Sequence, residues 1–510
     1  MKLSHLAIAV ATATLLTACG GGGGSSSSSS TDTGTDTGSS TSVINVTKVA
    51  QVAETNADIA YAIYSDAVTT AKALQTALAT FRADPTADNL LAAKKAWLVA
   101  REPYLQSEVY RFRLSPIDST DYETEDGPEG DINAWPLGEA LIDYVQVNSS
   151  DFGTDQIGVT SNSVGIAGNG AVTADSHDSN IINTTTIEIN ADLLANTVTA
   201  DDERDVIAGY HAIEFLLWGQ DLKNDYTTTD GTDRDQAVKT EAVRGAVDPV
   251  NTFATGGERP LSDFVPGYDG TNTTYDSSSL SNRRHKYLEV AVAKLIADLE
   301  QVRDGWAEGS AYRTAFTNIT TEAVAKERLT EILTGMGTLS EGELAGERMQ
   351  IAFSANSQED EHSCFSDNTH RDVWLDAEGI SNSYYGVYNG YDSDLDGVDD
   401  AGTTVSGYGI DDYLTDVGLT TIKASLESAL TTTETAYTAI DAKARTGVPF
   451  DVLIMDANRN RTNPIYQTIV ALNAQSSVIS DLAEELGLDA DVVDDEASAC
   501  DTTDPEATCD

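Results

Sequence analysis

His211 and Glu214 stand three residues apart in the segment Gly209-Tyr210-His211-Ala212-Ile213-Glu214-Phe215-Leu216-Leu217-Trp218-Gly219-Gln220-Asp221. On a helix that spacing puts both side chains on one face. An imidazole and a carboxylate so placed can share one cation such as zinc or iron. The residues around them are strongly apolar, and burying even a neutral polar group unpaired costs roughly 2 to 7 kcal/mol. Gly209 leaves room for a second backbone or a ligand to come close. The plainer alternative is a buried His–Glu hydrogen bond that joins two helices.

Three further segments could do chemistry. Gln358 to Asp372 packs Glu361, His362, Cys364, Asp367 and His370 into a few turns of chain, a density that suits a cation site or a hydrogen-bonded polar junction. Trp97 to Asp118 carries Glu108 one helical turn from Arg111, where an ion pair is the simpler account. Asp392-Ser393-Asp394-Leu395-Asp396-Gly397 has the DxDxDG start of a calcium loop, with Thr403 where the closing Glu would fall. Asp392, Asp394 and Asp396 are its candidate ligands; the alternative is an acidic surface turn. HExxH is absent from the sequence, so a zinc peptidase would need further ligands from a distance, with Glu108, Glu361, His362, Asp367 and His370 as candidates.

The elements that must hold these residues read as helices. Val46 to about Phe81, Thr86 to Arg113, Ile187 to Leu194, Asp201 to Trp218, Asn282 to Trp306, Ala311 to Leu333, Gly342 to Ala352, Thr415 to Ala444 and Asn463 to Leu486 carry apolar residues at threes and fours. Residues 119–182 read as mainly loop with a short helix near Ala140, 221–281 as a polar connection, and Ser354 to Tyr408 as loop. Strand-like alternation is scarce. The expected fold class is all-α, two helical-bundle halves packed side by side with long irregular loops. The divisions are residues 45–230, a connection at 231–281, a second half at 282–488 and an acidic tail at 489–510.

The first 18 residues read as a signal peptide: Lys2, then a short apolar run from Leu6 to Leu16, then the lipobox Leu16-Thr17-Ala18-Cys19. Cys19 would carry the lipid. Gly20 follows it, without the Asp that retains lipoproteins at the inner membrane, so the expected location is the outer membrane. Residues 19–44 follow as anchor and tether; the Gly/Ser/Thr/Asp stretch within them reaches on the order of 25 Å. The net charge is −53, from 83 acidic and 30 basic residues. That balance argues against nucleic acid, whose phosphates need Lys and Arg, and fits a salt-tolerant, cation-attracting surface. Cys500 and Cys509 could close a disulfide in an oxidising periplasm, and Cys364 has no evident partner.

The signature around His211 resembles the GxHxxE motif of the imelysin family. Ala100 to Asp118, Asn133 to Leu137, Gly256 to Phe264, Asn282 to Leu288, Gly342 to Met349 and Glu359 to Asp372 are similar, in the same order, to that family's iron-regulated branch, and the resemblance spans roughly residues 45 to 485. It implies an all-helical fold in which the signature helix faces a cleft between two halves. It also implies a part in iron or other metal acquisition at the cell envelope. The expected ligand is a metal ion or metal chelate, and an envelope transporter is the candidate partner, although no binding motif identifies it. The family is catalogued among metallopeptidases, so hydrolysis is the alternative activity, and a purely structural lipoprotein is a third reading.

Overall fold

Asn45 starts the first long helix, Val46–Ala83, by accepting a hydrogen bond from the Lys48 amide, and Asp84-Pro85 stops it. Its residues from Val49 through Ala60, Ile63 and Ala67 to Phe81 are buried at helical spacing. Two helices cover that face: Ala87–Leu105, capped by Thr86, and Leu280–Trp306, capped by Ser279. A second group forms where Thr420–Arg445 packs on Pro464–Glu485, which also meets Glu322–Thr338 and the π-helical stretch Leu339–Gln350. Helix Thr369–Tyr385 touches Ala87–Leu105 in the first group and Thr420–Arg445 in the second. The fold is therefore all-α, two helical groups side by side, and Val43–Asp510 forms one compact unit.

This computed structural model describes residues 44–144, 163–166, 170–173, 180–195, 206–221, 256–257, 259–265, 279–358, 360–455, 458–488, 492–493 and 500–509. Two short antiparallel pairs occur among them, Ser163–Ile166 with Gly170–Thr173 and Val387–Tyr388 with Val405–Ser406. No helix among the described residues is long and apolar enough to cross a membrane.

Several helix limits differ from the sequence expectation, each for a local reason. The signature helix begins at Gly209, not near Asp201, because Gly209 sits at φ +79° and a Cβ there would lie 2.4 Å from the Ile132 carbonyl oxygen; ahead of it Val206 bridges to Leu137 in extended form. Ala87–Leu105 stops short of Arg113 and gives way to a single 3₁₀ turn, Glu108–Tyr110. The stretch expected from Ala311 to Leu333 is two helices, Ala311–Thr317 and Glu322–Thr338, with Thr321 capping the second. Gly418, at φ +82°, divides Ile410–Val417 from Thr420–Arg445. The expected loop from Ser354 to Tyr408 contains the helix Thr369–Tyr385. It escaped the apolar periodicity because its buried face holds His370, Arg371, Asp372 and Asp376 among Val373, Leu375 and Ile380.

Candidate metal centre

Every residue of the signature helix Gly209–Trp218 is buried. Helix Ala87–Leu105 fixes it: Trp97 Nε1 donates to the Tyr210 carbonyl at 2.9 Å, Tyr210 Oη donates to the Ala100 carbonyl at 3.2 Å, and the Trp97 and Trp218 rings meet edge-on at 5.4 Å. At the other end Gly219 turns the chain at φ +72°, and the Arg259 amide donates to the Trp218 carbonyl. A buried helix so anchored holds its side chains in one orientation.

His211 and Glu214 meet each other. His211 Nδ1 lies 2.9 Å from Glu214 Oε2, while Glu214 Oε1 accepts from the Ser366 amide at 2.9 Å and the Ser366 hydroxyl at 2.7 Å. The other ring nitrogen, His211 Nε2, is buried and has no hydrogen-bond partner among the described residues. His362 stands 5.0 Å away, ring centre to ring centre and nearly perpendicular. It is held in the same way: its Nδ1 lies 2.7 Å from Asp372 Oδ2, and Asp372 is fixed by the Ser363 hydroxyl, by Asn368 Nδ2 at 3.1 Å and by Arg101 at 3.6 Å. Trp135 packs edge-on to the His362 ring at 4.4 Å, and Asn133 Nδ2 approaches His362 Nε2 at 3.5 Å. His211, His362, Trp135, Glu139, Glu361 and Cys364 line a small cavity of about 10 Å³, room for about one water. Trp135 and Pro136 also line a cleft of about 430 Å³ whose other walls include Glu129, Glu343, Glu347 and Asp360.

Burial, helped by the Arg101 charge, lowers His211 to about 3; burial lowers His362 to about 3 against the pull of Asp372. Both rings are therefore neutral near pH 7, the form that binds metals. Burial pushes Glu214 up to about 8, with the Ser366 hydroxyl opposing. The proton between His211 and Glu214 thus decides which ring nitrogen is bare. When Nδ1 carries it and donates to an ionised Glu214, the lone pair is on Nε2, facing no protein donor. A carboxylate behind the distal nitrogen is the usual support of a metal-bound histidine.

The remaining candidates go elsewhere. Glu108 Oε2 accepts from Arg111 and Arg348, each at 2.9 Å; burial works against ionisation, but the two guanidiniums hold the carboxyl at about 2. His370 Nδ1 lies 2.8 Å from Asp441, whose second oxygen accepts from Arg445 at 2.6 Å. Asp367 joins Asp221 and Asp451, with one oxygen of each within 4.8 Å of the others. Glu361 is pushed well above the usual carboxylate range by burial and then by Asp367, Asp451 and Asp221. Asp392, Asp394 and Asp396 also bring oxygens within 4.8 Å of one another, but Asp392 Oδ1 already accepts from the amides of Asp394, Leu395 and Asp396. Thr403, at the closing position, donates its amide to Asp66 at 2.7 Å. Cys500 and Cys509 are disulfide-bonded. Cys19 lies outside the described residues. Sequence reasoning did not single out Asn133, Arg101, Asp221, Asp372 or Asp451. Asp221 and Asp372 close segments already marked by composition; Asp451 carries no local signal.

Fold and site together define an all-helical protein with two carboxylate-backed imidazoles facing one cavity. The chain belongs to the imelysin family, whose model matches residues 60–479. It is 41% identical over 64 residues to iron-regulated protein A of Synechococcus elongatus (strain ATCC 33912 / PCC 7942 / FACHB-805), a match covering 12% of this chain and 16% of that protein. A crystal structure from Parabacteroides distasonis ATCC 8503, named as an iron-regulated protein A precursor, superposes with TM-score 0.52 at 17% identity, over 88% of this chain and 97% of that one. An imelysin-like protein of Psychrobacter arcticum 273-4 superposes at 0.48 and 13% identity, over 87% and 97%.

Proposed function

We propose that this imelysin-family protein binds iron or a similar transition metal for uptake at the cell envelope, with His211 Nε2 and His362 Nε2 as its protein ligands. One observation carries the reading: two neutral, buried imidazoles, each backed by a carboxylate on Nδ1, face one small cavity, and one of them has no partner for its other nitrogen. Imidazole donors suit zinc, iron and copper. In this arrangement Glu214 orients His211 and takes up charge. The acidic outer cleft draws cations toward Trp135. The names of the relatives, iron-regulated protein A, support iron as the cargo. The lipobox supports anchoring through Cys19 to the outer membrane, with an envelope transporter as the receiving partner.

Equilibrium dialysis against ferrous iron and zinc tests this. The protein should bind one metal at the histidine pair, His211→Ala and His362→Ala should each abolish that binding while circular dichroism stays helical, and unfolded casein should stay intact. Chelator-sensitive cleavage of casein would favour a metallopeptidase instead, and unchanged metal binding in both variants would remove the site.

A further inference from the structure

We propose that Asp221, Glu361, Asp367 and Asp451 form a second, all-oxygen cation site that takes calcium and ties three distant segments of the chain together. The segments are the chain leaving the signature helix, which carries Asp221; the loop between Asp360 and Asn368, which carries Glu361 and Asp367; and the short helix Phe450–Leu453, which carries Asp451. All four residues are buried or nearly so: Asp367 and Asp451 are fully enclosed, Glu361 is 1% exposed and Asp221 5%.

Two independent observations point to a ligand. Asp221, Asp367 and Asp451 each present an oxygen within 4.8 Å of the others, near enough for all three to reach one cation bonded at the 2.3–2.6 Å of calcium. Magnesium keeps several of its waters and is seldom held by a dedicated all-protein cage, which favours calcium at this carboxylate cluster. Separately, both carboxylate oxygens of Glu361 are buried and meet no cationic side chain among the described residues, the Thr369 hydroxyl being the group that favours their charge, and the charged groups that weigh most on Glu361 are those same three acids. An isolated ionised carboxylate is costly to bury, and a divalent cation would supply the missing charge. Gln358 holds Asp221 in place, donating at 2.8 Å to Oδ2 and 3.0 Å to its carbonyl. Glu361 also lines the histidine cavity, and what distinguishes this site from the histidine pair is its all-carboxylate donor set, since hard cations prefer oxygen and imidazole suits transition metals. It also differs from the Asp392 loop, where Asp394 and Asp396 are exposed.

An ion here would fasten the loop that also supplies His362 and Ser366, the second of which holds Glu214. Calcium titration by calorimetry, on protein stripped with EGTA and carrying Asp394→Asn and Asp396→Asn to silence the exposed loop, tests the proposal. A single saturable calcium site is expected, and its occupancy should raise the melting temperature. Adding Glu361→Gln or Asp451→Asn should weaken calcium at least tenfold while leaving the EGTA-treated protein as stable as before or more so. A flat titration of the double-Asn protein at millimolar calcium, or unchanged affinity after Glu361→Gln and Asp451→Asn, would overturn it.

Discussion

Asp143 and Glu361 are both buried carboxylates, 0% and 1% exposed, and the chain surrounds them in opposite ways. Asp143 lies between two guanidiniums: Arg259 donates to Oδ2 at 2.6 Å, and Arg284 grips both oxygens at 2.6 and 3.0 Å. Burial works against its ionisation, but Arg284 and Arg259 keep its pKa below the ordinary value. Glu361 meets carboxylates where Asp143 meets arginines, and only the Thr369 hydroxyl favours its charged form. His211, which lines a cavity with Glu361, has one nitrogen without a partner among the described residues. A buried polar group with its counter-ion built in is a structural joint. One without it is where the proposed ions would supply what the protein does not.

The largest effects should come from breaking the self-balanced joint. Arg284→Ala leaves Asp143 with Arg259 alone and should cost about 1.5–3 kcal/mol, read as a lower urea midpoint with unchanged slope. Asp143→Asn should destabilise by a similar route, whereas Glu361→Gln in chelator should be neutral or stabilising. Equal losses for Asp143→Asn and Glu361→Gln would erase the contrast between the two regions.

Next in size is the support behind the metal ligand. Glu214→Gln keeps the shape but not the charge, and should weaken metal binding about 10- to 100-fold with the helical content unchanged. The pH dependence follows from the same carboxyl. Its folded pKa of about 8 is raised from the ordinary 4.5, so its contribution to the stability of the metal-free protein is present below pH 4.5 and is lost as pH rises toward 8. Metal at His211 Nε2 needs the ionised form, so binding should release a proton, and affinity should rise with pH up to about 8, by at most about tenfold per unit. Calorimetry in buffers of different ionisation enthalpy measures that proton. The smallest effect belongs to the exposed loop: Asp394→Asn in chelator should leave the urea midpoint essentially unchanged.

How much of this was legible in the sequence follows from the range of each interaction. The long helices show themselves through local apolar spacing, and the His211–Glu214 pair through a three-residue interval. His362 stood out because His, Cys and acids crowd its segment. Its partnership with His211 did not, since 151 residues part them and only the packing of Ala87–Leu105 and Thr369–Tyr385 closes the gap. Helix Thr369–Tyr385 was hidden for a related reason. A helix whose buried face carries His370, Arg371, Asp372 and Asp376 has no apolar stripe to find. Glu108 and His370 were candidates by residue type, and the arginine or aspartate that each one binds comes from elsewhere in the fold.

Crystals soaked in zinc or iron and measured at the metal's absorption edge address the central claim most directly. An anomalous peak about 2.0–2.1 Å from both His211 Nε2 and His362 Nε2, with Glu214 still hydrogen-bonded to His211 Nδ1, is the expected result. A protein loaded with metal in solution whose anomalous peaks all lie away from these two nitrogens would contradict it.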